Sequence, residues 1–523
     1  MYPVKGGLVT IYSYAPGGYR GHIVAVEVDC RTGIPGMDIV GLPASEVREA
    51  RERARVAIRN SGYEFPARRI LVSLSPADVP KIGNGFDLAI AAAILEGSGQ
   101  LPRVAPDSVL MIGELHLDGA IGAVRGTLAA VAEGRAAGLR GFIVPASNLE
   151  EARSVETRTV GIRRLEQLLR ALDDLGRDRN RNLPLTPSPA RPAEPAPGTM
   201  LRDYRELRGQ NELKRVLEIA AAGGHHALVV GPPGGGKSAA IGLYPTITPF
   251  LSHGESIEVT RIHSLAGEPR RQPGLLVHRP FRAPHHNAST EGLLGGRMPH
   301  VPGEVALAHC GALFLDEALE FRRPVLQGLR EPLEHHRVRV VRAKGNYWFP
   351  AAIQLLMATN RCPCGLLGRR DRTCLCSLAE VDRYWRRLGG PLLDRIDLRV
   401  HVAPLPLEAL PETDCSAAIA GRVRAAVEFR SRVRRQARQN RDLTATEVTA
   451  EGELSSPARR VFAQASRALR LSTRASLSVL RVARTIADLA GARETGEEHV
   501  LEAISYRRYG EQRPLWEADE EDS

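Results

Sequence analysis

The sequence predicts an α/β protein of two or three domains, and three observations carry that prediction. At 523 residues the chain is longer than one hydrophobic core organises, about 250–300 residues. The short apolar runs HHALVVG, ALFLDEA and IQLLMATN have the length and two-sided apolarity of strands buried in a parallel sheet. From Pro184 to Pro197, PLTPSPARPAEPAP places six prolines in fourteen residues, too stiff and too poor in apolar side chains to pack, so it reads as an extended linker between domains.

Before the linker, β-like runs (HIVAVEVD, RILVSLSP) alternate with helical ones (ASEVREARERARVAIRNSG, FDLAIAAAILEGSG), as in an α/β domain. After it the alternation resumes, and from about Leu407 the chain becomes Ala- and Arg-rich with helical periodicity, the pattern of a small helical lid. The expected divisions are 1–172, a linker 173–200, a core 201–405 with a Cys-rich loop 361–377, a lid 406–510, and an acidic tail 511–523. No internal repeat is evident.

Composition narrows the class. The chain is 43% hydrophobic and 25% charged, with no apolar run of membrane-spanning length, about 18 residues. The N-terminus lacks the charged, apolar and small-residue segments of a secretory signal, so a cytoplasmic location with reduced cysteines is expected. Lys and Arg outnumber Asp and Glu by 71 to 60, a formal charge of +11. That excess suits a polyanionic partner and equally suits an Arg-rich protein without one.

The strongest motif follows the apolar run Ala227 to Val230. Gly231-Pro232-Pro233-Gly234-Gly235-Gly236-Lys237-Ser238 is G-x-x-x-x-G-K-S leading into a helix-compatible stretch. Its glycines let backbone N–H groups turn inward around phosphate oxygens, Lys237 reaches the β- and γ-phosphates, and Ser238 ligates magnesium. A second apolar run ends at Asp316-Glu317, an acid for magnesium beside one that polarises the attacking water. A third ends at Asn360, a polar side chain suited to the γ-phosphate or its water. ATP and Mg2+ are the cofactors these residues imply. Two arginines stand out: Arg395 in Pro391-Leu-Leu-Asp-Arg-Ile-Asp, and Arg474 at the start of an expected lid helix. A surface role is the alternative for each, with Arg395 capped by Asp394 or Asp397, and for Arg474 the spacing alone does not separate the two.

Four of the seven cysteines, Cys362, Cys364, Cys374 and Cys376, form C-x-C, nine residues, C-x-C. Four thiolates suit tetrahedral zinc, although the spacing is tighter than the usual C-x(2–4)-C, and free thiols or a redox pair are the alternatives. The adjacent His285 and His286 read as a structural or interface pair. Between the acids and Asn360, alternating Arg337, Arg339 and Arg342 with Val, followed by Lys344-Gly-Asn, read as a β-hairpin with one basic face. Arg337, Arg339 and Lys344 are its candidate DNA contacts, against the reading of an edge strand protected by its charges. A further basic run, Arg422 to Arg441 with eight arginines, reads most simply as an exposed helix face, with phosphate contact as the alternative.

With these residues in view, the chain resembles the ComM/YifB family of magnesium-chelatase-like AAA+ proteins. The likeness runs through VDCRTGIPGMDIVGLPASEVRE, RNSGYEFP, FRAPHHNAST, PGEVALAHCGALFLDEALEF, NRCPCG, GPLLDRIDL and VARTIADL. It implies a Lon-protease-like (ribosomal S5 domain 2-like) α/β domain, a P-loop AAA+ core with a helical lid, a hexameric ring, and ATP-driven branch migration of DNA during integration of transforming DNA. It also implies that Arg395 projects into the neighbouring subunit's ATP and that Arg474 senses nucleotide in its own subunit. Gly235, Arg361 and Ala318-Leu319-Glu320 depart slightly from the family wording, none at a chemical group. In the Lon-like part, Asp87 occupies the place of the catalytic serine and the lysine's place falls at Val124 or Arg125, while Lys81 lies nearby. An arginine does not deprotonate to serve as base, so peptidase activity is not expected. The leading expectation is a homohexameric DNA translocase or helicase; the rivals are a chelatase-like motor subunit and a nucleotide-switched scaffold.

Overall fold

The computed structural model describes residues 8–102, 109–156, 158–176, 197–268, 274–296, 301–342, 345–369, 372–403, 414–450, 452–507 and 514. Most of the Pro-rich stretch, Lys344 and the acidic tail lie outside them.

The first 176 residues form one sheet with helices against it. Its strands are β1 (Val9–Ala15), β2 (His22–Arg31), β3 (Gly36–Val40), β4 (Arg69–Ser75), β5 (Val109–Met111), β8 (Gly141–Pro145) and β9 (Thr159–Ile162), with β6 (Glu114–Leu115) and β7 (Ile121–Gly122) as a separate short pair. The sheet order is β3-β4-β2-β1-β5-β8-β9. β1, β2 and β4 pair antiparallel and the remaining neighbours pair parallel. Helix Asp87–Gly97 is apolar all round and almost wholly buried, as a helix becomes when both its sides are covered. The last helix, Leu168–Gly176, runs through the expected boundary at residue 172.

Asp87 opens that buried helix. Its carboxylate is fully buried and holds Arg53 through two hydrogen bonds, Nε to Oδ2 at 2.7 Å and Nη2 to Oδ1 at 2.9 Å. It also accepts from the Leu115 amide at 3.2 Å. Burial pushes this carboxyl upward, and Arg53 opposes the shift. Lys81 is buried too, but its ammonium bonds the Pro76 carbonyl. Arg125 lies against Gly267, where an added Cβ would sit 2.4 Å from its Nε.

The second sheet is parallel, with β10 (Ala227–Val230), β11 (Phe281–Arg282), β12 (Ala312–Leu315), β15 (Gln354–Thr359) and β16 (Leu398–His401) in the order β11-β12-β15-β10-β16. β10, β12, β15 and β16 are buried along their whole length, which explains their unbroken apolar character. β13 (Arg337–Arg342) and β14 (Gly345–Pro350) make the anticipated hairpin. Val338, Val340 and Phe349 point into the core, and Arg337, Arg339 and Val341 are exposed on the opposite face. The helices Ser416–Arg432, Ser456–Ala468, Thr473–Leu489 and Glu497–Ser505 form the small helical unit. Among the described residues no helix is long and apolar enough to cross a membrane.

The basic run Arg422–Arg441 meets the expectation in part: Arg422, Arg424, Arg432, Arg435 and Arg438 are exposed, but the other three arginines are not. Arg434 is buried and paired with Asp488 at 2.5 Å and Glu453 at 2.8 Å. Arg430 and Arg441 are buried and donate to the Ala222 and Gly224 carbonyls at 2.8 and 3.0 Å. These guanidiniums satisfy the carbonyls that end helix Asn211–Gly223, where a positive charge is also favoured by the helix dipole. Arginine periodicity alone does not separate this capping role from a solvated face.

A continuous apolar cluster joins the first sheet to the core. Tyr14, Leu110 and Phe142 pack with Ile262, Leu265, Leu307 and Phe349. Around it, the Gly126 amide donates to the Ser264 carbonyl at 3.0 Å and the Tyr19 amide to the Trp348 carbonyl at 3.1 Å. The Arg261 guanidinium sits 4.5 Å over the Tyr19 ring and pairs with Glu133.

Asp87→Ala leaves Arg53, 19% exposed, without its buried counter-ion and with only the exposed Glu49 at 3.5 Å. The expected outcome is a loss of about 3 kcal/mol in denaturant unfolding of the first domain, the usual penalty for breaking a buried pair, with nucleotide binding by the core unchanged. Unfolding at the parent's denaturant midpoint would contradict the assignment of Asp87 as a structural counter-ion.

Candidate active site

Strand order decides what meets at the carboxyl edge of the second sheet. β15 lies between β10 and β12, so the chain segments leaving these three strands converge, as ligand sites do at the carboxyl ends of open α/β sheets. The segment leaving β10 is the glycine-rich loop. Gly234 and Gly236 have φ of 84° and 79°, left-handed values that a side chain disfavours, and helix Lys237–Gly242 starts directly after Gly236. The loop, Lys237, Ser238, Asp316, Glu317 and Asn360 line one cavity of about 400 Å3.

Lys237 is the hub of that cavity. Its ammonium donates to the Gly231 and Pro232 carbonyls at 2.6 and 2.8 Å and to Asn360 Oδ1 at 3.2 Å. Burial brings its pKa down to about 8, against the opposing pull of Asp316 and Glu317. The Ser238 hydroxyl donates to Asp316 Oδ1 at 2.9 Å, so the two oxygen ligands expected for magnesium are already adjacent. Hard oxygen donors beside a phosphate cradle fit that ion.

Glu317 follows with φ of 50°, and its Oε2 lies 3.4 Å from His286 Nδ1. His286 stacks on His285, with ring centroids 4.1 Å apart. The pair read in sequence as structural therefore reaches the acid expected to polarise water. Only the fold brings residues 286 and 317 together.

Arg395 and Arg474 meet outside this cavity. Arg395 follows the short helix Gly390–Leu393 and binds the Pro391 carbonyl and Glu334. Arg474, on the first turn of helix Thr473–Leu489, lies 3.5 Å from the same Glu334. Both line a cleft with Asp394, Asp397 and Arg481. The expectation that Arg474 faces its own chain's nucleotide is not met. The Ser478 hydroxyl on its helix bonds Asp397 at 2.5 Å, so the helix start stands beside the Arg395 loop, and Arg474 does not line the cavity of the glycine-rich loop. Two further arginines, not singled out by the sequence, brace that loop. Arg399 donates to the Leu393 carbonyl at 3.1 Å, and Arg507 donates to the Ile396 and Asp394 carbonyls.

The four cysteines converge as anticipated. All four Sγ atoms lie within 4.8 Å of one another. Cys362 is 3.3 Å from Cys364 and 3.6 Å from Cys374, and Cys364 is 3.5 Å from Cys374. Zn–S bonds of about 2.3 Å make a tetrahedron with edges of about 3.8 Å, so the cluster is near the size of a zinc–thiolate site. On the hairpin, Arg339 is 3.3 Å from Glu331.

A five-stranded parallel sheet with a glycine-rich phosphate loop, an acidic pair and a polar strand end defines a P-loop protein of the magnesium-chelatase-like AAA+ class. Family models agree along the chain: "Magnesium chelatase, subunit ChlI" matches residues 203–410, "Subunit ChlI of Mg-chelatase" residues 26–148, and the ChlI C-terminal model residues 413–507. The chain is 37% identical to the competence protein ComM of Haemophilus influenzae over 96% of its own length and 97% of the relative. It is 38% identical to the uncharacterized YifB of Salmonella typhimurium with the same coverage. An uncharacterized Mycobacterium tuberculosis protein is 38% identical over 96% of this chain and 99% of the relative. The chain therefore belongs to the ComM/YifB family.

The position of Lys237 sets a pH dependence. Without nucleotide its ammonium is charged below pH 8 and progressively neutral above it, whereas phosphate binding requires and stabilises the charge. MgATP affinity should be nearly flat between about pH 6 and 7 (about one to two units below that pKa) and fall as pH rises beyond about 8, approaching tenfold per unit. Titration calorimetry across this range checks it, and an affinity independent of pH up to pH 9.5 (about 1.5 units above the pKa) would contradict it.

Proposed function

We propose that this protein is a ring-forming ATP-driven motor on branched or single-stranded DNA, acting in recombination and the integration of transforming DNA, a reading that the likeness to a competence protein supports. The observation that carries the reading is the combination of the Lys237, Asp316 and Glu317 cavity with a basic-faced hairpin inserted between β12 and β15 of the same sheet. A hairpin rooted between the acid strand and the Asn360 strand is placed to feel the state of the γ-phosphate.

In this reading Lys237 and the loop amides hold the phosphates. Ser238 and Asp316 hold Mg2+, and Glu317 orients the attacking water. Asn360 reports the γ-phosphate. His286 restrains Glu317 until the site fills. Arg395 and Arg474 serve a neighbouring subunit's nucleotide, which their distance from their own cavity supports, with Glu334 as the counter-ion displaced on assembly. A hexamer is the ring this arrangement serves, and the cytoplasm its location. The four-cysteine cluster holds Zn2+, which fixes the loop directly after Asn360. Asp87, paired with Arg53, offers no nucleophile, so the first domain works in docking rather than in peptide cleavage. The exposed Arg337 and Arg339 favour this reading over a chelatase-like motor for another protein or a nucleotide-switched scaffold.

DNA binding through these side chains releases condensed counterions, so affinity should fall log-linearly with salt. Arg337→Ala/Arg339→Ala/Lys344→Ala should weaken DNA binding, flatten that slope by up to about three, and abolish DNA stimulation of ATPase while basal turnover persists. Arg395→Ala should bind both ATP and DNA yet scarcely turn over. Unwinding of a four-way junction at the parental rate by the triple variant would refute the hairpin as the DNA path.

Metal analysis should find about one zinc per chain, lost in Cys364→Ser together with protection of the 362–376 loop from proteolysis. Fully active protein free of zinc would rule out the structural metal.

A further inference from the structure

The amino edge of the second sheet, opposite the nucleotide cavity, contains a second and larger cavity of about 500 Å3. It lies where the helical unit packs against the core. Arg430 and Gln439 come from the helical side, and Tyr244, Arg279 and Cys310 from the core. Its charges do not balance. Arg279 is neutralised by Glu255 through two hydrogen bonds, at 3.0 and 3.2 Å. Arg441 has Asp442 at 3.5 Å. Arg430 has no ion-pair partner of its own among the described residues: it is 8% exposed, its one side-chain hydrogen bond there is Nη1 to the Ala222 carbonyl, its Nε is buried without a partner, and the carboxylates whose charge reaches it, Asp488, Glu255 and Asp442, are each paired with another arginine. Burial pulls its pKa below the ordinary arginine value.

A buried guanidinium without a counter-ion is costly, and one carbonyl bond leaves four of its five donors unused. The helix dipole offsets part of the cost but supplies no acceptor for those donors. A cavity of this volume is within the range of small-molecule sites, about 300–1,000 Å3. Phe250, Phe281, Pro245 and Pro249 give it an apolar wall beside the charge. A planar guanidinium facing open space fits a phosphate or other tetrahedral dianion, which accepts from it in bidentate fashion.

We infer that this seam cavity binds the phosphate of a small phosphomonoester, with Arg430 as the principal ligand, Arg441 beside it and the non-phosphate part of the molecule against Phe250 and Phe281. Because its walls come from both the core and the helical unit, the ligand ties the two together and fixes the unit that carries Arg474. The glycine-rich loop is a separate phosphate site at the other edge of the sheet.

The test uses full-length protein carrying Lys237→Ala, so that the P-loop does not contribute, probed by calorimetry and thermal unfolding with inorganic phosphate, ribose 5-phosphate and ribose. Ribose 5-phosphate should bind and raise the melting temperature, and ribose should do neither. Saturation by inorganic phosphate with equal affinity would assign the site to the free ion, whereas tighter binding of ribose 5-phosphate assigns it to the ester. Adding Arg430→Gln should weaken binding at least tenfold. Since that change also removes a helix cap, Ala437→Glu, at an exposed position on the cavity wall, provides a second variant whose carboxylate should repel the ligand in a normally folded protein. The inference is overturned if neither phosphate probe binds the Lys237→Ala protein, or if binding survives Ala437→Glu undiminished.

Discussion

A parallel sheet buried on both faces admits polar chemistry only where its strands end, and this constraint organises the protein. The ammonium of Lys237 is its clearest expression. It is buried behind the glycine-rich loop yet bonded to two carbonyls and to Asn360, so a cation waits in a place that water alone would not stabilise. Ser238 and Asp316 are held together in the same cavity. The site is assembled by strand order: without β15 between β10 and β12, Asn360 would not stand between the phosphate loop and the acids.

The opposite edge of the same sheet obeys the same constraint with different means. There the carbonyls at the end of helix Asn211–Gly223 are satisfied by Arg430 and Arg441, and the loop that carries Arg395 is tied down by Arg399 and Arg507. Arginine does in this protein what smaller capping groups do elsewhere, because its fork reaches several carbonyls from a neighbouring element. Much of the positive charge is therefore committed to architecture, and the net charge of +11 overstates what is free to meet a polyanion.

Much of this was legible in the sequence where the signal was local. The phosphate loop, the acidic pair, Asn360 and the hairpin each sit in a short phrase whose chemistry is fixed by adjacent residues. The cysteine cluster was legible for the same reason. What escaped was set by tertiary placement. His286 reaches Glu317 across thirty-one positions, and nothing in its phrase points there. Arg474 was expected at its own nucleotide because the chain position of a lid arginine does not tell which side of the sheet its helix starts on. Arg430, Arg434 and Arg441 looked solvated like the rest of their run because periodicity records which residues share a face, and not what that face meets.

The contact between Tyr19 and Trp348 gives the hairpin a fixed neighbour. Their rings are 5.3 Å apart, and the Tyr19 amide is bonded to the Trp348 carbonyl. Trp348 lies opposite Arg339 on the paired strand, midway between root and tip. The hairpin is thus a cantilever gripped at its middle: a load on its tip is passed to the first domain as torque through Tyr19, and a tilt of the strands either turns that domain with them or breaks the grip.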